Sequence, residues 1–261
     1  MIRFSLIFFT LFLTPFLAYA QFEGEIHSKI TTRDGNGVSK LSLSKLGARH
    51  EIDIRSPKLQ QISSRPYHLT TIHKFADPDR VYYVNDERKI YSVINLKKVR
   101  DHTQRVDDEV YTVKRIGSDT IAGYTCERVL LTTQNQTETG TCIAKNIAGV
   151  DLWITLMEQT VQMKSGMFKA LKDAGVEGFP VKMVMRRNGG ESPFLTTEMI
   201  RAETKSLPAA LFDVPPSYQK EDVISSFVTP EMTEKMQGFI RKITPERKKM
   251  YEELRNRLLS R

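Results

Sequence analysis

Apolar and polar residues alternate with a period of two in a succession of short runs along the chain. In the first such run Phe22, Gly24, Ile26, Ser28 and Ile30 fall on one side and Glu23, Glu25, His27 and Lys29 on the other, the signature of a half-buried strand. It ends at Arg33-Asp34-Gly35-Asn36-Gly37, where Asp-Gly and Asn-Gly offer the positive φ angles of a tight hairpin, so a second strand over 38–46 is predicted to fold back on the first. The same grammar recurs over 48–54, 69–75, 81–85, 90–96, 111–116, 124–132 and 141–144, with turn signals such as Asp77-Pro78-Asp79 and Asn85-Asp86-Glu87 between runs.

The period changes after Asp151. At helical spacing Trp153, Leu156, Met157 and Val161 share one broad arc with Met163, Met167, Phe168 and Leu171, interrupted only by Lys164. An amphipathic helix over about 151–173 is predicted, and its apolar face must cover something apolar. Strands resume over 179–187, turn through Asn188-Gly189-Gly190 and return over 194–202. The expected fold is α+β and mainly antiparallel β: a curved sheet or incomplete barrel crossed by an inserted amphipathic helix. Beyond Pro215-Pro216 the pattern turns helical again, with Thr229-Pro230 and Thr244-Pro245 as start signals.

The first 20 residues stand apart. Arg3 precedes the apolar run 4–13, and Pro15 and Ala18-Tyr19-Ala20 follow, which is the order signal peptidase reads. A cleavable leader over 1–20 is expected, then a β-rich unit over 21–218 and a basic helical extension over 219–261, the whole exported to the periplasm. The net charge is +8, one unit of it on Arg3. Much of the excess lies at the end, where Arg241, Lys242, Arg247, Lys248, Lys249, Arg255, Arg257 and Arg261 face only Glu246, Glu252 and Glu253. Outside the cytoplasm this tail points to an anionic membrane surface or an acidic protein face, and not to nucleic acid.

Candidate chemistry is sparse. The two cysteines, Cys126 and Cys142, lie equally far from Gln134 in the polar stretch 132–139, so a hairpin turning there sets them face to face and predicts a disulfide; two separately buried thiols are the alternative. There is no Gly-x-Ser-x-Gly elbow, no HExxH and no glycine-rich phosphate loop. The five histidines are scattered and read as surface residues; His68 and His73, five apart, point to opposite faces of one strand. No catalytic residue, metal or other cofactor is expected. Methionine is the unusual abundance. Met163 with Met167, or Met183 with Met185, offers soft donors for cuprous copper, yet no histidine or cysteine clusters with them. Flexible thioethers also suit an adaptable apolar surface. The candidate ligand-binding set is Trp153, Leu156, Met157, Met163 and Met167 with Phe168, Leu171, Met183 and Met185.

Several strings carry a family resemblance: Val81-Tyr82-Tyr83-Val84-Asn85-Asp86-Glu87-Arg88-Lys89-Ile90-Tyr91, Ile121-Ala122-Gly123-Tyr124-Thr125-Cys126, Gly178-Phe179-Pro180-Val181, and 207–218 from Leu-Pro-Ala-Ala to Pro-Ser-Tyr. In this order they resemble the exported bacterial proteins grouped as domain of unknown function 4412, over roughly 22–218. That family in turn resembles the LolA and LolB carrier fold, which implies an incomplete barrel whose concave apolar face accepts acyl chains. It implies no reaction. The expected function is therefore non-enzymatic binding or carriage of a lipid, a lipidated protein or another apolar molecule. The alternative is an envelope interaction module that docks a partner through its methionine-rich and basic C-terminal helices.

Overall fold

The computed structural model describes residues 23–60, 66–97, 110–134, 137–147, 149–159, 166–187, 190 and 192–222. The expected leader, the C-terminal helices and Met163 lie outside them. The strands are β1 (Gly24–Thr32), β2 (Gly35–Ser44), β3 (Gly47–Arg55), β4 (Tyr67–Lys74), β5 (Arg80–Asn85), β6 (Ile90–Asn95), β7 (Tyr111–Ile121), β8 (Tyr124–Thr133), β9 (Glu138–Ala144), β10 (Phe179–Arg186), β11 (Leu195–Thr204) and β12 (Gln219–Lys220). A one-turn α1 (Pro57–Gln60) follows β3, while α2 (Val150–Gln159) and α3 (Gly166–Asp173) lie between β9 and β10. Among the described residues no helix is long and apolar enough to cross a membrane.

All twelve strands form one open, curved sheet in the order β12-β6-β5-β4-β3-β2-β1-β11-β10-β9-β8-β7. Every pairing is antiparallel except that of β12 with β6. Three bulges interrupt the ladders, at Ile116 in β7, Val181 in β10 and Ile200 in β11. Such extra residues bend a strand and increase its twist, which suits a sheet that curves without closing. Two of them, Ile116 and Ile200, are among the few large apolar side chains left exposed.

The hairpins follow the sequence more closely than their turns do. β1 and β2 pair from Gly24 with Leu43 to Thr32 with Gly35, so the turn is Arg33-Asp34 and both glycines lie in the strand. Neither has positive φ. They are needed for a different reason: a Cβ on Gly37 would stand 2.1 Å from the Asp53 carbonyl oxygen, and one on Gly35 would stand 2.2 Å from that of Arg55. β7 runs on past Ile116, where the pattern predicted its end, because the bulge there and the positive φ of Gly117 (122°) carry the strand to Ile121. Its hairpin with β8 then turns on Ala122 and Gly123, both at positive φ (48° and 83°), as a two-residue turn matched to strand twist requires.

The disulfide joins Cys126 and Cys142 with their Cα atoms 5.3 Å apart. Its geometry differs from the face-to-face expectation. The β8–β9 register sets Arg128 opposite Cys142 and Glu127 opposite Ile143, so the cysteines are diagonal neighbours. The hairpin closes through the hydrogen bond from Thr133 N to Thr137 O, centring it one residue beyond Gln134.

Residues 205–222 form a strap across the β1–β6 half. Lys205 N and Leu207 N bond to the main-chain and side-chain oxygens of Glu23. A 3-10 turn (Ala209–Phe212) then buries Phe212 against β3 and β4. Lys74 pairs with Asp213, Tyr218 OH donates to Asp86 at 2.8 Å, and Arg88 pairs with Glu221 at 3.4 Å. This is the structural role of the 207–218 string. β12 carries the sheet two residues beyond Tyr218, the expected end of the β unit.

Candidate functional site

Side chains alternate along a strand, and β9 shows what that does here. Cys142 and Ala144 belong to the larger core with Ile26, Leu43, Val181 and Met199, whereas Ile143 belongs to a smaller core with Val129, Leu131 and Val176. Leu156 of α2, with Trp153 beside it, closes the larger core; Leu171 of α3, with Met167 and Phe168, closes the smaller. The apolar arc expected to roof a single trough thus serves two sides of β9, with its halves in separate helical segments.

Where the two helices approach, an apolar cleft of about 260 Å³ remains. Trp153 and Ile154 come from α2, and Met167, Phe168 and Leu171 from α3. Its floor is Thr141 and Ile143 of β9 with Pro180 and Met183 of β10. Trp153 is held by an edge-on contact with Phe179, ring centroids 5.0 Å apart. Gly178 keeps the base of the cleft tight, since a Cβ there would stand 2.4 Å from the Ala144 carbonyl oxygen. The Gly178-Phe179-Pro180-Val181 string therefore sets the strand that carries both the aromatic contact and the floor.

Of the nine side chains predicted to bind a ligand, Trp153, Met167, Phe168, Leu171 and Met183 meet at this cleft. Leu156 and Met157 are buried, with 8% and 5% exposure, and Met185 is half-buried two residues along β10. The sequence reading missed Ile143, Ile154, Val176 and Pro180. For Ile143 the signal was weak because both faces of β9 are buried, which erases alternation over 141–144.

The polar side chains hold two surprises. Glu25, placed on the solvent side by the alternation of β1, is only 7% exposed. Burial raises its carboxyl, but hydrogen bonding to Lys205 (2.7 Å) and the charges of Lys205 and Lys40 outweigh that and hold its pKa below the ordinary value. Glu25, His27 and Glu203 bring ligand atoms within 4.8 Å of one another across β1 and β11. An arriving cation would have to displace Lys205 from Glu25 and Arg201, at 2.5 Å, from Glu203. This is an ion-pair network already neutralised from within. The histidines are not all superficial: His73 is buried edge-on to Phe75, and burial pushes His50 down to about 4 against the opposing pull of Glu51.

Residues 22–218 match the family described as "Domain of unknown function (DUF4412)". No curated protein matches the sequence. Among solved structures, an uncharacterized conserved protein from Thermus thermophilus is similar at 9% identity and a TM-score of 0.44, over 76% of this chain and 90% of its own. The MucA/MucB complex of Pseudomonas aeruginosa is similar at 9% identity and a TM-score of 0.38, over 76% of this chain and 58% of the matched one. A LolA superfamily protein from Nitrosomonas europaea is similar at 10% identity and a TM-score of 0.30, over 74% and 91%.

Proposed function

The chain belongs to the DUF4412 family, and from that premise we propose that it is a periplasmic, non-enzymatic binding protein that carries a lipid, a lipidated protein or another apolar molecule in the cleft between α2 and α3. One observation carries the reading: four side chains picked out by helical periodicity and one, Met183, by the abundance of methionine converge on one apolar cleft although they span 153–183. An apolar concavity of this kind, edged by a few polar groups, is what small-molecule sites are made of. A Cys126–Cys142 disulfide within the larger core supports an oxidising compartment and so the export expected from the first 20 residues.

The reading predicts that protein purified without detergent from its native compartment brings an apolar molecule with it. Mass spectrometry of organic extracts should then show a species that is absent from a mock purification and reduced when Met183→Arg sets a charge in the floor. Extracts identical to the mock would count against carriage.

A further inference from the structure

We propose that Arg115 is a positioning residue for the cleft: it clamps the end of α3 and so fixes the wall against which an apolar ligand packs, without touching the ligand. This rests on the apolar-ligand reading above and deepens it. Met167, Phe168 and Leu171 reach the cleft from α3, and Val176 reaches it from the turn that follows. The placement of α3 therefore decides the shape of that wall.

Little else holds α3 in place. At eight residues it is too short to persist alone, and Leu171 is its one buried side chain. Its C-terminus is closed by a left-handed glycine, Gly175 at φ 68°. Gly175 N donates to the Lys172 carbonyl oxygen and Val176 N to that of Leu171, both at 2.9 Å. Leu171 and Val176, one on each side of this cap, are buried with Val129 and Leu131 of β8. The Ala174 carbonyl oxygen, at the helix end where main-chain partners run out, accepts from Arg115 Nη2 at 2.7 Å.

The sheet sets Arg115 up for this contact. It lies opposite Val129 in the β7–β8 register, one residue before the Ile116 bulge, and bulges re-aim neighbouring side chains. Its Nη1 pairs with Glu127 at 2.9 Å, so one guanidinium joins β8 to the helix end. A cation there also complements the negative end of the helix dipole. Among the described residues no other hydrogen bond ties 166–176 to the sheet. Without the clamp α3 spends part of its time displaced, and the apparent affinity for a ligand falls with the fraction of time the wall is in place.

The test uses N-phenyl-1-naphthylamine, a neutral apolar probe that accepts energy from tryptophan, titrated into the full-length, lipid-stripped protein while transfer from Trp153 is followed. Arg115→Gln should weaken binding roughly threefold or more, the scale of a cation at a helix C-terminus. In the same variant the amides of Gly175 and Val176 should exchange with solvent faster, while those of β9 and β10 keep the parent's rates. Arg115→Lys, which can still donate to the Ala174 carbonyl, should recover part of the affinity. Lys114→Gln, which removes the neighbouring charge, should change neither reading. Parent-like affinity in Arg115→Gln, or an equal loss in Lys114→Gln, overturns the clamp and leaves the apolar site standing. If the parent protein itself shows no transfer to the probe, the apolar-ligand reading has failed.

Discussion

His50 shows how one residue couples folding to acidity. It lies on β3 between Leu41 and Thr71, and burial lowers its pKa from 6.5 to about 4. The unfolded chain thus binds a proton that the folded chain refuses over that window. Stability from this group is fully present above pH 6.5, falls about tenfold in the folding constant per pH unit below it, and levels off near 4. Denaturant midpoints between pH 7 and 4 should drop accordingly, and His50→Gln should flatten the part of the slope above pH 5, where few carboxylates titrate. An unchanged slope would show that His50 is open to water. Nothing in the sequence foretold this, because period-two patterns report which face a residue takes and not how deeply that face is covered. Glu25 makes the same point: its partner Lys205 is 180 positions away, beyond the reach of local pattern.

At the scale of elements, strands were legible wherever one face is wet and the other dry, and β1 to β6 match the predicted runs within a few residues. β9, dry on both faces over 141–144, begins three residues before its predicted run, whereas β7, mostly exposed, extends five past its own through the Ile116 bulge. Turn chemistry misled in one place. Gly35 and Gly37 read as turn residues, yet they let β3 approach β2. Gly37→Ala should therefore cost stability by clash with the Asp53 carbonyl rather than by φ strain, on the order of 1–3 kcal/mol as overpacked sites do. Thermal unfolding would measure it. A variant as stable as the parent would mean that β2 and β3 can part without loss. The helical arc over 151–173 was visible as amphipathic, but a single stripe could not disclose that its two halves cover different cores.

The described residues form an open sheet with a strap against β3 and β4, α2 against β2 and β10, and α3 against β7, and the cleft exists because α2 and α3 leave space where they meet above β9 and β10. The sequence foretold an antiparallel, helix-covered sheet, and it supplied five of the fourteen residues that line the cleft. The tight base at Gly178 needed the tertiary arrangement. Trp153 is the one tryptophan in 261 residues and it lines the cleft, so its fluorescence reports occupancy of this site without a label. The most direct measurement is titration of the lipid-stripped protein with an alkyl chain brominated at its far end. Saturable quenching of Trp153, relieved by the unbrominated chain, is the predicted result. Binding that leaves Trp153 emission untouched would place the ligand elsewhere and contradict the account.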